Sequence, residues 1–406
     1  MPPILTQQAF VKATATNFFF FASLNCFFLL PLYIEQLGGT EVAVGVVMGV
    51  YSAVGILCQP LLGPWVDALG RRPFMILGSV LVVVSALLAS VATAVPALGL
   101  VRALQGIGFS AFFVANYSYV IDLVPVERRG WALGIYGVSG MMSTALAPLF
   151  GEVVIRRFGF RPLFLACGVL ALVTCALLWT LQERERVDAP TAPDWASTRA
   201  MLGDLYHRHM AITVFFGLGS GTIFAFLPTF AESIGVRTLA LFYTAYAGAA
   251  MGVRVVAGHW IDTHGRRAVI VPSMFLQVAG TVLLAALAFL VARRTGVPPL
   301  PVLFVAGLVA GAAHGFLYPG LAALVADQAH EARRGTVVGV FSAVFLIGNS
   351  GGAFLFGYVA HHVGYGVMWS LLSALLAAGA LVSLGLHEPA GRLVKTQPAV
   401  PARQAP

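Results

Sequence analysis

The sequence predicts an all-α membrane protein, with twelve transmembrane helices in two pseudo-symmetric six-helix bundles, on three observations. Of its 406 residues 59% are hydrophobic and only 10% charged, against about 25% charged in soluble domains, so the chain has too little polar surface to face water. Its apolar runs have helix length, about 20 residues each, as hydrocarbon requires when backbone amides must find partners inside their own segment. A set of glycine and charged positions also occurs twice along the chain.

The runs fall near residues 10–33, 41–65, 73–93, 96–120, 131–154 and 161–182, then near 211–234, 238–262, 268–292, 300–325, 335–359 and 363–387. The first is too long for a signal-peptide core and is expected to remain as span 1. This divides the chain into an N-terminal bundle (1–182), a charged linker (183–210), a C-terminal bundle (211–390) and a tail (391–406).

The net charge of +8 does not point to nucleic acid, because the basic residues sit mainly between spans. With the N-terminus inside, sixteen Lys and Arg residues fall in inner loops and tails and six in outer loops, with Arg102 and Arg254 inside spans. That asymmetry predicts that both termini are cytoplasmic, and the chain is expected to be a multi-pass protein of the cell inner membrane. Cys26, Cys58, Cys167 and Cys175 all lie in apolar runs without a His, Cys or acidic cluster beside them. They read as small core residues, and no metal or cofactor is expected.

The repeat is explicit. Gly63, Asp67, Gly70, Arg71 and Arg72 recur 195 residues later as Gly258, Asp262, Gly265, Arg266 and Arg267. Asp122, Arg128, Arg129 and Gly130 recur 205 residues later as Asp327, Arg333, Arg334 and Gly335. Matching loops at matching topological positions imply two halves related by an axis along the membrane normal, with a site between them near midplane.

With these residues on view, the sequence resembles the major facilitator superfamily, in its drug/proton antiporter-like branch, over essentially its whole length. Gly63-Pro-Trp-Val-Asp67-Ala-Leu-Gly70-Arg71-Arg72 is similar to the signature loop of that family, with Ala68 where many members carry a basic residue. Arg102-Ala-Leu-Gln105-Gly106-Ile-Gly108 resembles a span 4 motif common in proton-coupled members, and Ala147-Pro148-Leu-Phe-Gly151 the proline and glycine motif of exporters, with Ala147 in place of the usual glycine. The resemblance implies that spans 1, 4, 7 and 10 line the cavity.

Candidate residues follow from helical spacing and charge. In span 4, Arg102, Gln105, Phe109, Phe113 and Asn116 follow steps of three and four and share one face; an arginine there must point at a cavity or a partner. Arg102 and Glu152 lie at matching depth, which predicts a pair with a coupling role. Span 1 presents Thr14, Asn17, Phe21 and Asn25 on one face, and span 10 sets His314 one turn from Tyr318. On the cavity lining that the resemblance implies, Asn17, Phe21, Asn25, Gln105, Phe109, Asn116, His314 and Tyr318 are expected to meet substrate, and His314 to titrate in coupling; a buried, neutral His314 is the bland alternative. Asp67, Arg71 and Asp122 are expected to form a gating latch, mirrored by Asp262, Arg266 and Asp327. Gly45 with Gly49 and Gly248 with Gly252 are expected to allow close helix contact in spans 2 and 8, and Asn349 to bond a neighbouring helix.

Nothing assembles into a catalytic set: there is no phosphate-binding lysine loop, zinc-binding His-Glu-x-x-His or serine elbow. Transport then draws on an ion gradient or the substrate's own. The first expectation is proton-coupled efflux of small amphipathic molecules by a monomer that contacts substrate, protons and membrane lipid. The alternatives are an uptake permease for a nutrient or organic anion, with Arg102 or Arg254 as counter-charge, and a receptor that does not turn over.

Overall fold

Every predicted run is helical in the computed structural model, which describes residues 8–124, 129–183, 196, 208–327 and 334–386; inside helices, the side chains of 129–133, 208, 255–264, 323, 325–327 and 334–338 are not described. Most of the expected linker and the whole expected tail lie outside the described residues. Span 1 runs Gln8–Asn25, tightens through a 3₁₀ turn at Cys26–Leu29 and continues as Leu30–Gln36; spans 2 to 6 are Glu41–Leu69, Arg72–Val91, Val95–Leu123, Arg129–Phe158 and Phe160–Trp179. Spans 7 to 10 are Arg208–Ser233, Ala240–His264, Arg267–Ala292 and Pro299–Asp327. Among the described residues ten helices are long and apolar enough to cross a membrane, the last of them, Gly339–Leu384, long enough to cross twice. The helix Arg334–Leu384 breaks at Gly364 (φ 82°, ψ 168°) into spans 11 and 12.

The break belongs to the repeat. Gly70 and Gly265 stand 195 residues apart after spans 2 and 8, and Gly159 and Gly364 stand 205 apart after spans 5 and 11; all four have φ between 82° and 106°. With ψ near 180° this is a conformation essentially closed to residues with a Cβ, so the same two glycine turns are built into each half. Arg72 donates to the carbonyl of Trp179 (2.9 Å), and Arg267, its repeat partner, donates to the carbonyl of Leu384 (2.9 Å). Trp179 and Leu384 are themselves 205 apart. In each half an arginine at the start of one span thus caps the negative C-terminal end of another.

Packing follows the same symmetry. Span 1 packs on spans 5 and 6, as span 7 packs on spans 11 and 12; span 4 packs on spans 2 and 3, as span 10 packs on spans 8 and 9. The halves meet along spans 2 and 11 and along spans 5 and 8. Toward the end bearing Glu152 one core spans both halves, taking in Phe27, Leu29 and Phe164 together with Phe226, Tyr243 and Trp369. Toward the Asp67 end the described core divides, one part around Phe112 and Val120 and the other around Met274 and Phe341. The outer surface is apolar, with Leu57 68% and Trp179 73% exposed, a surface that only lipid covers without cost.

Gly45 packs as expected: a Cβ there would lie 2.5 Å from the Ala353 carbonyl oxygen of span 11. Gly248 and Gly252 differ from expectation, since a Cβ on either would meet nothing within 4 Å. The span 5 and span 8 seam is held instead at Ala145 with Thr244 and at Gly137 with Arg254. Ser52 donates to Asn349 Oδ1 (2.8 Å), so Asn349 bonds span 2 across the halves.

Candidate functional site

The face of span 4 divides into three zones. Near the Glu152 end, Arg102 donates to Gln105 Oε1 (2.8 Å) and its guanidinium lies 4.3 Å from the Tyr51 ring centroid. In the middle, Phe109 and Phe113 stack at 5.3 Å, with Phe21 at 6.0 Å and Tyr51 at 5.5 Å from Phe109, and Tyr117 continues the row from Phe113 at 5.9 Å. Asn116, further along, is fully buried and bonds other spans.

The expected Arg102–Glu152 pair is not formed. Matching depth placed both residues near one end, but depth does not fix the direction in which a helix points a side chain. Glu152 faces the other half, where its carboxylate accepts from the Ala240 amide (2.6 Å), and it also pairs with Arg156 (3.3 Å). Arg102 faces span 2 and finds an amide and a ring instead of an acid.

Asn17 and Asn25 are tied to span 5. Asn17 Oδ1 accepts from the Tyr136 hydroxyl (2.6 Å) and from Asn116 Nδ2 (3.3 Å), while its Nδ2 donates to Ser139 (2.8 Å). Asn25 donates to Ser143 (2.8 Å) and Thr144 (3.1 Å). Tyr136 and Ser139 are sites that sequence reading missed. Each polar side chain obeys its own span's periodicity, but nothing local to span 5 says which neighbour its hydroxyls meet.

On the C-terminal side, His314 sits among Phe216 (5.1 Å), Tyr246 (5.6 Å) and Tyr318 (6.0 Å). The row continues through Phe224, 5.3 Å from Tyr246, to Phe28 of span 1, 4.6 Å from Phe224. Phe21, Phe109, Phe113, Tyr117, His314 and Tyr318 are all partly accessible. Toward the Glu152 end the two halves are in direct contact. Beside the Glu152–Ala240 bond, Arg156 donates to the Arg237 carbonyl, His361 pairs with Glu41 (3.0 Å), and Phe28 stacks near Tyr243 (5.4 Å).

At the other end Arg71 pairs with Asp67 and with Asp122 (3.3 Å). A further participant is Glu183, whose two carboxylate oxygens accept from the Arg71 amide (2.8 Å) and the Arg72 amide (2.7 Å) at the start of span 3. Its position just after span 6 was the available signal, because an acid there reaches the positive end of a helix that packs on span 6. Asp67, Arg71 and Asp122 belong to one half, and Glu183 follows shortly after its last span. In the other half Arg266 begins the turn into span 9, and the side chains of Asp262 and Asp327 lie outside the description.

Against known families, the Major Facilitator Superfamily matches residues 13–253 and, again, 209–405. The chain belongs to this superfamily. Its members are transporters. The superfamily's relatives of this chain include the "Multidrug resistance protein MdtG" of Dickeya zeae (strain Ech586), 27% identical over 90% of this chain and 93% of that protein. The protein of the same name from Citrobacter koseri (strain ATCC BAA-895 / CDC 4225-83 / SGSC4696) is 29% identical, but the match spans only 46% of this chain and 47% of that protein. The "Chloramphenicol resistance protein" of Pseudomonas aeruginosa is 28% identical over 63% of this chain and 62% of that protein. Among solved structures, the human organic anion transporter MFSD10 (TETRAN) superposes with a TM-score of 0.72 at 17% identity, covering 94% of this chain and 100% of that one. The nucleoside transporter NupG (D323A mutant) gives 0.73 at 15% identity, covering 93% and 99%. At such identities the structures establish the fold alone.

Proposed function

We propose that the protein exports small amphipathic molecules that carry aromatic groups, by proton-coupled alternating access across the bacterial inner membrane, with both termini cytoplasmic. The observation that carries this reading is the partly accessible lining shared by the halves, Phe21, Phe109, Phe113 and Tyr117 from one and His314 and Tyr318 from the other. Ring faces hold flat apolar cargo without demanding one hydrogen-bond pattern. The drug-resistance names of the relatives support the direction.

On this reading the Glu152 end is the outer gate, closed here, and Asp67, Arg71, Asp122 and Glu183 brace the inner end of the first half. Asp262, Arg266 and Asp327 do the same for the second. His314, the titratable group of the lining, carries the proton, and Arg102 and Glu152 act separately, one inside the first half and one at the outer gate.

Everted vesicles holding a respiratory proton gradient, acid inside, test the reading. Added substrate should draw protons out of the lumen as it enters, seen as recovery of a quenched acidity dye. Further acidification would assign uptake, and no proton movement would remove the coupling.

A further inference from the structure

None of the sixteen acidic residues lies in the middle third of a described helix, and Arg254 is the single lysine or arginine that does. Its protein contact is meagre. Among the described residues one Nη donates to the Gly137 carbonyl across the halves at 3.4 Å, and Nε is buried without a partner. A guanidinium has five N–H donors, so most of its capacity is unspent. Its electrostatic neighbours among the described residues are Tyr117, Tyr246, Tyr318 and His314, none of them a carboxylate. His314 adds a second orphan, a buried Nδ1. Arg254, Tyr117, Tyr318 and His314 stand on spans 4, 8 and 10 and are all partly accessible, the last three within electrostatic reach of Arg254.

Arg102 makes the contrast. It shares the orphaned Nε, but it is 6% exposed, bonded to Gln105 and laid on the Tyr51 ring within its own half, where Arg254 is partly accessible and reaches across the seam. A charge near the bilayer centre is costly and persists where it meets an ion pathway or a ligand, and Arg254, reaching between the halves, is placed to meet one.

We propose that Arg254 is an anion subsite at the centre of the pathway, taking the carboxylate or comparable single negative head of an aromatic cargo whose ring lies among Tyr117, His314 and Tyr318. The planar fork of arginine matches a carboxylate with two parallel bonds. This rests on the transport reading above and adds the charge of the cargo to it. Binding at Arg254 would also join the halves through the ligand, Gly137 and Arg254 being on opposite sides of the seam.

Three probes on one scaffold test it: 2-naphthoate, 2-naphthamide and (2-naphthyl)methylammonium, titrated against the purified full chain in lipid nanodiscs. The wild type should bind naphthoate about tenfold or more tighter than the amide, the equivalent of ~1.4 kcal/mol or one charge-assisted bond, and the ammonium more weakly still. Arg254→Gln should erase that preference with amide binding little changed, and Arg254→Lys should restore part of it. The wild-type ranking needs no variant, so a misfolding substitution does not shelter the idea. Equal binding of acid and amide, preference for the ammonium, or no binding of any probe would overturn the proposal. So would preference that disappears when gluconate is replaced by chloride, which would assign the subsite to a small inorganic anion. Export of a neutral drug in everted vesicles is read separately, so the subsite can fail while the export reading stands.

Discussion

The carboxylate of Glu152 accepts a 2.6 Å hydrogen bond from the amide of Ala240, so a side chain of one half caps the first turn of a helix in the other. Span 8 has no cap of its own, since Leu239 precedes it without a side-chain bond. An acid at a helix N-terminus contributes about 0.5–2 kcal/mol through the bond and the helix dipole together. Here the contribution exists only while the halves touch, so it stabilises the closed state of this end and is absent when the end opens.

Glu152→Gln keeps an acceptor but loses the charge, and Glu152→Ala loses both. The open state of this end should gain about fivefold in relative population for alanine, and less for glutamine, given roughly 1 kcal/mol at stake. Spin labels at Arg157 and Thr238 would report it as growth of a longer-distance population. An unchanged distance distribution in the alanine variant would show that the cap does not hold the end closed.

At the other end Arg71 is shared between two carboxylates, which alters the usual charge-swap test. Exchanging Arg71 and Asp122 as Arg71→Asp with Asp122→Arg would set the new acid beside Asp67, replacing an attraction with a repulsion. The double swap should therefore recover little transport, and adding Asp67→Asn should recover more. Both acids are about one-third exposed, so each pair contributes about 1 kcal/mol or less, and Asp122→Asn alone should slow flux severalfold without stopping it. Full recovery in the double swap, measured as initial rates in everted vesicles, would mean that Asp67 is not part of the unit.

The glycines of spans 2 and 8 make opposite predictions from similar sequence. A Cβ at Gly45 would press on backbone, 2.5 Å from the Ala353 oxygen and 3.1 Å from the Gly357 Cα, and backbone cannot rotate away. Gly45→Ala should force spans 2 and 11 apart and cost about 1–3 kcal/mol, with transport lost or strongly reduced. Gly248→Ala meets open space and should be tolerated in this state, with thermal unfolding in detergent unchanged. Should Gly248→Ala nonetheless stop transport, span 8 must close on span 5 elsewhere in the cycle, which the same pair of measurements would separate from misfolding.

The contrast marks what the sequence could carry. Span positions were legible because a run such as 73–93 has one way to hide its amides, and the halves were legible because Gly70 and Gly265 occupy a conformation that few residues adopt. Azimuth was not. Arg102 and Glu152 share a depth, yet one turns to Tyr51 and the other to Ala240, and that choice is set by packing between segments remote in sequence. Asn25 was expected to meet substrate, and nothing local to span 1 told that its amide donates to Ser143 and Thr144 of span 5. The setting of Arg254 needed both halves at once: Tyr117 comes from one and Tyr246 and Tyr318 from the other.

Asn17 and Asn116 offer the sharpest separation between holding the fold and holding the cargo. Both stand on the cavity-side faces of spans 1 and 4 by spacing, yet they are 2% and 0% exposed, and with Tyr136 and Ser139 they form one network joining spans 1, 4 and 5. Interhelical hydrogen bonds in membranes contribute about 0.6 kcal/mol each on average and up to about 1.7. Asn17→Ala removes three and leaves Tyr136 and Ser139 short of partners, so a loss of about 2 kcal/mol in the first half is expected, read as a lower unfolding temperature. Cargo affinity of the protein that remains folded should change less than about twofold. Phe109→Ala should do the reverse, since Phe109 is partly accessible in the aromatic row and its removal takes ring surface from the cargo with little effect on the network. If Asn17→Ala weakens binding of the naphthyl probes tenfold while its unfolding temperature stays put, the amide belongs to the cargo site and the network forms only in this state of the cycle.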